Sequence, residues 1–155
     1  IVALYDLDRL PPEVAALAKQ LDGAYTCKGV QLAPTGASTP LTAKLGVKLA
    51  VGDAWLQMTL AEPKAHGLTF EDFRTYDPIA KQWMRLQVAS SGTRTTWTSL
   101  GETGGSWTWD GTATSPSGSM RLRDHETPGD RQIFLWGEAL LGGSWQKLYE
   151  VTCKR

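Results

Sequence analysis

Two histidines, two cysteines and a few charged residues set into apolar segments carry whatever chemistry this chain can do. His66 lies in Pro63-Lys64-Ala65-His66-Gly67, and His125 in Arg123-Asp124-His125-Glu126. Histidine can serve as a general base, orient a ligand or bind a metal near neutral pH. Neither histidine has a second ligand at metal spacing, so no metal site is expected. His66 reads as a solvated turn residue and His125 as a structural or surface residue at a strand end. Gln57, Asp72, Arg74, Arg85 and Glu138 are the polar candidates on apolar strands. Inside a barrel, Arg85 can grip a ligand carboxylate through two N–H groups. It can equally pair with an internal acid, or lie on the surface as most arginines do. If the chain is an enzyme, His125, Asp72 and Tyr76 are the acid–base candidates. The sequence contains no GxSxG, P-loop, HExxH or GxGxxG motif, so no catalytic residue is assigned.

The seven tryptophans carry more weight. On a strand, residues two apart share a face. Trp107 and Trp109 therefore point together, away from Thr108 and Asp110. Trp83 shares a face with Arg85 and Gln87, opposite Met84, Leu86 and Val88. Phe134 and Trp136 align with Glu138, and Trp145 and Tyr149 with Lys147, Val151 and Cys153. A surface mixing aromatic and polar groups suits a small, mainly hydrophobic ligand with one polar end. Trp83, Arg85, Trp107, Trp109, Trp136 and Tyr149 are the expected ligand contacts. The competing reading has the indoles filling a core or covering an outer surface.

The elements that must position these residues are mostly strands. Leu10-Pro11-Pro12-Glu13 places proline in a first helical turn. Val14, Leu17, Ala18 and Leu21 then recur at helical spacing up to Asp22-Gly23, so a short helix is expected, placed to plug one barrel end. From there the period is two. Ten strand-like segments follow, at 23–33, 41–51, 54–62, 68–76, 81–89, 94–102, 106–114, 119–126, 131–141 and 144–154, each bounded by turn residues. The second is the clearest: Leu41, Ala43, Leu45, Val47, Leu49 and Val51 form one face, and Thr42, Lys44 and Lys48 the other. Connections this short favour antiparallel neighbours. So wide a twisted sheet tends to close, which removes its edges. The expected fold is all-β: a ten-stranded antiparallel up-and-down barrel over 23–155, after an N-terminal segment and helix over 1–22. A two-sheet sandwich is the alternative. Closure sets the first strand beside the last, so Cys27 and Cys153 are expected to form a disulfide.

Composition narrows the function. Lys plus Arg equals Asp plus Glu at 16 each, which gives nucleic acid or an anionic membrane no net field to follow. No apolar run reaches the roughly 20 residues of a membrane span. Residues 1–8 carry two acids and lack the basic start of a signal peptide, although a mature chain with its signal removed would read the same way. A disulfide implies an oxidising compartment. A secreted or periplasmic protein, monomer or dimer, is expected.

Three stretches resemble a known family. They are Leu21-Asp22-Gly23-Ala24-Tyr25-Thr26-Cys27-Lys28-Gly29, then Phe73-Arg74-Thr75-Tyr76-Asp77-Pro78 with Lys81-Gln82-Trp83, and the closing Trp145-Gln146-Lys147-Leu148-Tyr149-Glu150-Val151-Thr152-Cys153-Lys154. In order, they are similar to the opening, a hairpin and the last strand of uncharacterised secreted bacterial lipocalin-like proteins. That resemblance implies a calycin-type barrel of about ten strands, exported, with no cofactor and no catalytic residues to carry over. Nitrobindin-type barrels are similar in strand count and hold haem through a late histidine. No histidine follows His125 here, which argues against haem by that route. The leading expectation is a binding protein for a small hydrophobic ligand. The alternatives are a cofactor-independent cyclase or isomerase, and a filled barrel acting as an interaction scaffold.

Overall fold

A computed structural model describes residues 10–155, so the reading of residues 1–9 lies outside the described part. Helix α1 spans Pro12–Leu21. Proline stands in its first turn, Glu13 complements the N-terminal end of the dipole and Lys19 the C-terminal end. Its buried residues are Val14, Leu17, Ala18 and Leu21, the stripe that helical spacing marks out. Its last carbonyls are capped from the barrel: the Tyr25 hydroxyl donates to Leu21 O at 2.8 Å, and Arg155 donates to the carbonyls of Asp22 and Gln20 at 2.8 and 3.1 Å. The helix packs on β2, β3 and β4 and joins the barrel core.

The strands are β1 Gly23–Leu32, β2 Ser38–Ala50, β3 Trp55–Ala61, β4 Thr69–Asp77, β5 Gln82–Ala89, β6 Arg94–Ser99, β7 Glu102–Thr103, β8 Ser106–Ser115, β9 Gly118–Gly129, β10 Gln132–Leu141 and β11 Ser144–Lys154. Their order is β6-β5-β4-β3-β2-β1-β11-β10-β9-β8-β7, and β6 also pairs with β8. All pairings are antiparallel, so the ten long strands close into a barrel. The expected sixth strand ends early, at Ser99, and Glu102–Thr103 turns back to pair with Trp107 and Ser106. Val51 leaves the second strand for a left-handed turn and is exposed. The hairpin between β10 and β11 turns on Gly142 and Gly143, at φ 57° and 83°, where glycine alone meets no steric cost. On the seam between β1 and β11, Cys27 lies directly opposite Cys153. Their Cα atoms are 3.9 Å apart and the side chains form a fully buried disulfide.

Strand faces decide the interior. On β5, Trp83 and Arg85 are buried, whereas Met84, Leu86 and Val88 are exposed. The more polar face therefore points inward. On β11 the expected common face is broken. Gly137 pairs with Tyr149 but Glu138 pairs with Lys147, so Leu148 is an extra residue in a β-bulge. The bulge separates Tyr149, which faces in with Val151 and Cys153, from Trp145 and Lys147, which join outer-face side chains.

Two interior glycines make room for these large inward side chains. Gly111 pairs with Trp97, and a Cβ at Gly111 would lie 2.3 Å from the indole. Gly137 pairs with Tyr149, and its Cβ would lie 2.4 Å from that ring and 2.6 Å from Asp124 Oδ1. Gly111→Ala is expected to lower stability by about 1–3 kcal/mol through forced displacement of Trp97. Urea unfolding measures it; a variant within about 0.5 kcal/mol of wild type would refute this packing.

Candidate functional site

The barrel interior divides into three layers. At the α1 end, the aromatic rings make a continuous chain. Tyr76 meets Trp83 edge-on at 5.6 Å, Trp83 meets Trp107 edge-on at 5.1 Å, and Trp107 stacks on Trp109 at 5.8 Å between centroids. These rings fill that end as core.

The middle layer is charged. β4 places Asp72 and Arg74 inward, β5 places Arg85, and β9 places Asp124 and Glu126; all five are at most 8% exposed. Arg74 spans both oxygens of Glu126 at 2.7 Å each and gives Nε to Asp72 at 3.0 Å. Arg85 donates Nε to the other oxygen of Asp72 and Nη1 to Asp124 at 2.9 Å. Desolvation at this depth requires such pairing. The guanidiniums also lie against indoles: Arg85 is 4.6 Å from the Trp97 ring, and Arg74 is 4.9 Å from Trp109. Burial works against the charge of Arg85, but Asp72, Asp124 and Glu126 more than offset it and raise its pKa.

Three carboxylates face two guanidiniums here, and the imbalance shows at Asp124. Burial pushes its carboxyl above the usual 3.8, only partly opposed by Arg85. Tyr149 adjoins it, and burial first, then the Asp124 charge, pushes the phenol well above 10.0. An acid whose native pKa is raised stabilises the fold fully below its unfolded value, and that contribution is lost as pH rises through the native value. The Asp124 contribution is therefore expected to fall as pH climbs from about 3.8. In Asp124→Asn that part of the pH dependence should disappear. Urea midpoints for both proteins across pH 3.5–7 check this, and parallel curves would refute it.

Beyond the charged layer, away from α1, lies a cavity of about 300 Å³. Leu41, Leu45, Met58, Leu60, Phe70 and Leu122 give its walls an apolar surface; Asp72, Arg74, Arg85, Asp124, Glu126 and Tyr149 are the polar groups toward the charged layer, and Gln31, Glu62, Gln87 and Glu138 complete the polar lining.

Of the expected ligand contacts, Arg85 and Tyr149 line this cavity. Trp83, Trp107 and Trp109 face inward but belong to the filled end. Trp136 does not join them: it pairs across to His125, stacks on that imidazole at 3.7 Å and carries Lys147 Nζ 5.3 Å from its ring, all on the outer face. The reason is parity, since Ile133, Leu135 and Ala139 occupy the inward positions of β10. His125 stacks on the outer face and reaches Glu138 at 3.5 Å, and Glu138 in turn borders the cavity; Gln57 binds Glu71 at 2.8 Å, and His66 sits in a turn at φ 59°. Tyr76 packs in the aromatic end, which removes it from the cavity. Arg85 donates Nε to Asp72 and Nη1 to Asp124, the internal ion pairing that the sequence also allowed, and its Nη2 makes no side-chain hydrogen bond among the described residues. Trp97 was not among the expected contacts, yet it lines the cavity, and its buried Nε1–H has no acceptor among the described residues.

No family model matches the chain, and no curated protein does. Among solved structures, the crystal structure of Rv2717c from M. tuberculosis is similar, with a TM-score of 0.73 at 15% identity over 95% of this chain and 99% of that one. At that identity the likeness is one of fold, a barrel of matching extent.

Proposed function

We propose that this barrel is a calycin-like binding protein, exported from the cell, that holds a small, mainly apolar molecule in its cavity. The cavity carries the reading: a space of about 300 Å³ is within the range of small-molecule sites, and its walls are chiefly aliphatic. It is also why a filled scaffold is not preferred. The Trp97 side chain adds an aromatic surface to the lining. The buried Cys27–Cys153 disulfide suits an oxidising compartment. Among the described residues, no helix is long and apolar enough to cross a membrane.

Native mass spectrometry of protein purified from its own host is the direct test, with a co-purifying small molecule as the expected result. A ligand at a hundred times its Kd adds about 2.7 kcal/mol of stability, so a thermal-shift screen over lipids and haem gives an independent readout. The absence of both a bound species and any shift across the panel would sink the reading.

One observation favours a second reading, a cofactor-independent enzyme. Asp124 and Tyr149 meet at the cavity, and burial raises the pKa of both. Such a pair can hold and return a proton at a bound substrate. Turnover lost in Tyr149→Phe with ligand binding retained would favour this reading over simple binding.

A further inference from the structure

We infer that the cavity selects an amphipathic amine, an apolar body ending in a protonated nitrogen, over a fatty acid of the same length. The inference rests on the reading of the cavity as a ligand site and adds the head group.

Two features of the lining carry it. First, its charged members are Glu62, Asp72, Asp124, Glu126 and Glu138 against only Arg74 and Arg85. Lys64 pairs with Glu62 from an exposed position, and Arg123 and His125 approach Glu138 from the outer face at 3.6 and 3.5 Å. Setting those pairs aside still leaves three buried carboxylates facing two guanidiniums. Second, the guanidiniums are engaged. Arg74 spends all three nitrogens on Glu126 and Asp72, and Arg85 spends Nε and Nη1 on Asp72 and Asp124. An incoming carboxylate would meet excess negative charge and would find only Nη2 of Arg85 not engaged by an internal acid. An incoming ammonium finds Asp124, which takes one bond from a guanidinium where Asp72 and Glu126 take two each, and whose second oxygen lies beside Gly137 and is shared with the Tyr149 hydroxyl. Donation from a charged nitrogen to a carboxylate is about twice as strong as a neutral hydrogen bond.

Titration calorimetry of the full chain with octylamine, octanol and octanoate at pH 7 separates the head group from the tail, because the octyl chain is common to all three. Octylamine is expected to bind about tenfold tighter than octanol, with octanoate weakest. Octanoate or octanol binding as tightly as octylamine overturns the head-group inference and leaves the barrel a binder of apolar molecules. No binding of any of the three at millimolar concentration overturns the ligand-site reading along with it. Asp124→Asn should shrink the amine-over-alcohol ratio to below about threefold; an unchanged ratio in the folded variant removes Asp124 from the argument and overturns it. The wild-type ranking decides the matter even where that variant does not fold.

Discussion

Replacing Cys27 and Cys153 together by alanine is expected to destabilise the protein by about 4 kcal/mol and to lower its melting temperature by roughly 10 °C. The cross-link joins residues 126 apart in sequence, and a long closed loop restricts the unfolded chain most. The folded state loses little by comparison. The β1–β11 pairing from Thr26 to Gln31 persists without the sulfurs, so the double variant should still close its barrel. The unfolded state of the variant is more expanded, so its urea m-value should rise as its midpoint falls. Both sulfur-bearing residues are 0% exposed, so reductant should act on the wild type only through unfolding. Urea titrations of the oxidised wild type and the double variant measure the effect. A difference below about 1 kcal/mol would mean that the hydrogen-bonded seam alone constrains the chain.

Arg74→Met should cost about 3–5 kcal/mol at neutral pH, because it strands buried carboxylates rather than merely deleting a contact. Glu126 loses both of its short bonds and Asp72 loses one, in a layer without water access on the α1 side. Adding Glu126→Gln to Arg74→Met should restore part of the loss, because the second change removes the charge that the first leaves unpaired. Chemical unfolding of the single and double variants at pH 7 tests both statements. A double variant no more stable than Arg74→Met alone would show that Arg74 contributes packing against Trp109 and little else.

The strand boundaries were legible because each segment ends in residues that turn chains, and the helix because its stripe is complete. The disulfide followed from closure alone. Facing was harder. Leu41 to Leu49 alternates cleanly, so β2 declares its inner side. Ile133-Phe134-Leu135-Trp136 is apolar at every position, and only the pairing of Trp136 with His125 puts that indole outside. On β5 the alternation is visible but inverted, because the interior wants Arg85 for the acids of β4 and β9 and leaves Met84, Leu86 and Val88 to solvent. The bulge at Leu148 shifts parity partway along β11, with no glycine on that strand to mark it. The candidate site was half legible for the same reason. Asp72, Arg74 and Arg85 stood out singly as polar residues on apolar strands. Their partners Asp124 and Glu126 are about 40 to 50 residues away and lie in a run of charges that reads as surface. Trp97 was hidden among threonines in Arg94-Thr95-Thr96-Trp97-Thr98-Ser99, and Gly111 opposite it is the signal that its ring turns inward.

The bond between Cys27 and Cys153 also makes the barrel, in covalent terms, a ring with two tails. One tail carries α1, and the other begins at Lys154. Every hairpin loop from 33–37 to 142–143 lies within the ring. A protease that cuts one of those loops once opens the ring without dividing the molecule. Both halves stay joined through the disulfide, and both remain paired along the sheet. Such a nicked protein would migrate as a single species until it is reduced, and it would keep its walls in place around whatever the cavity holds. For a barrel exported as proposed above, that arrangement gives a tolerance to single cuts that an open chain of the same fold does not have.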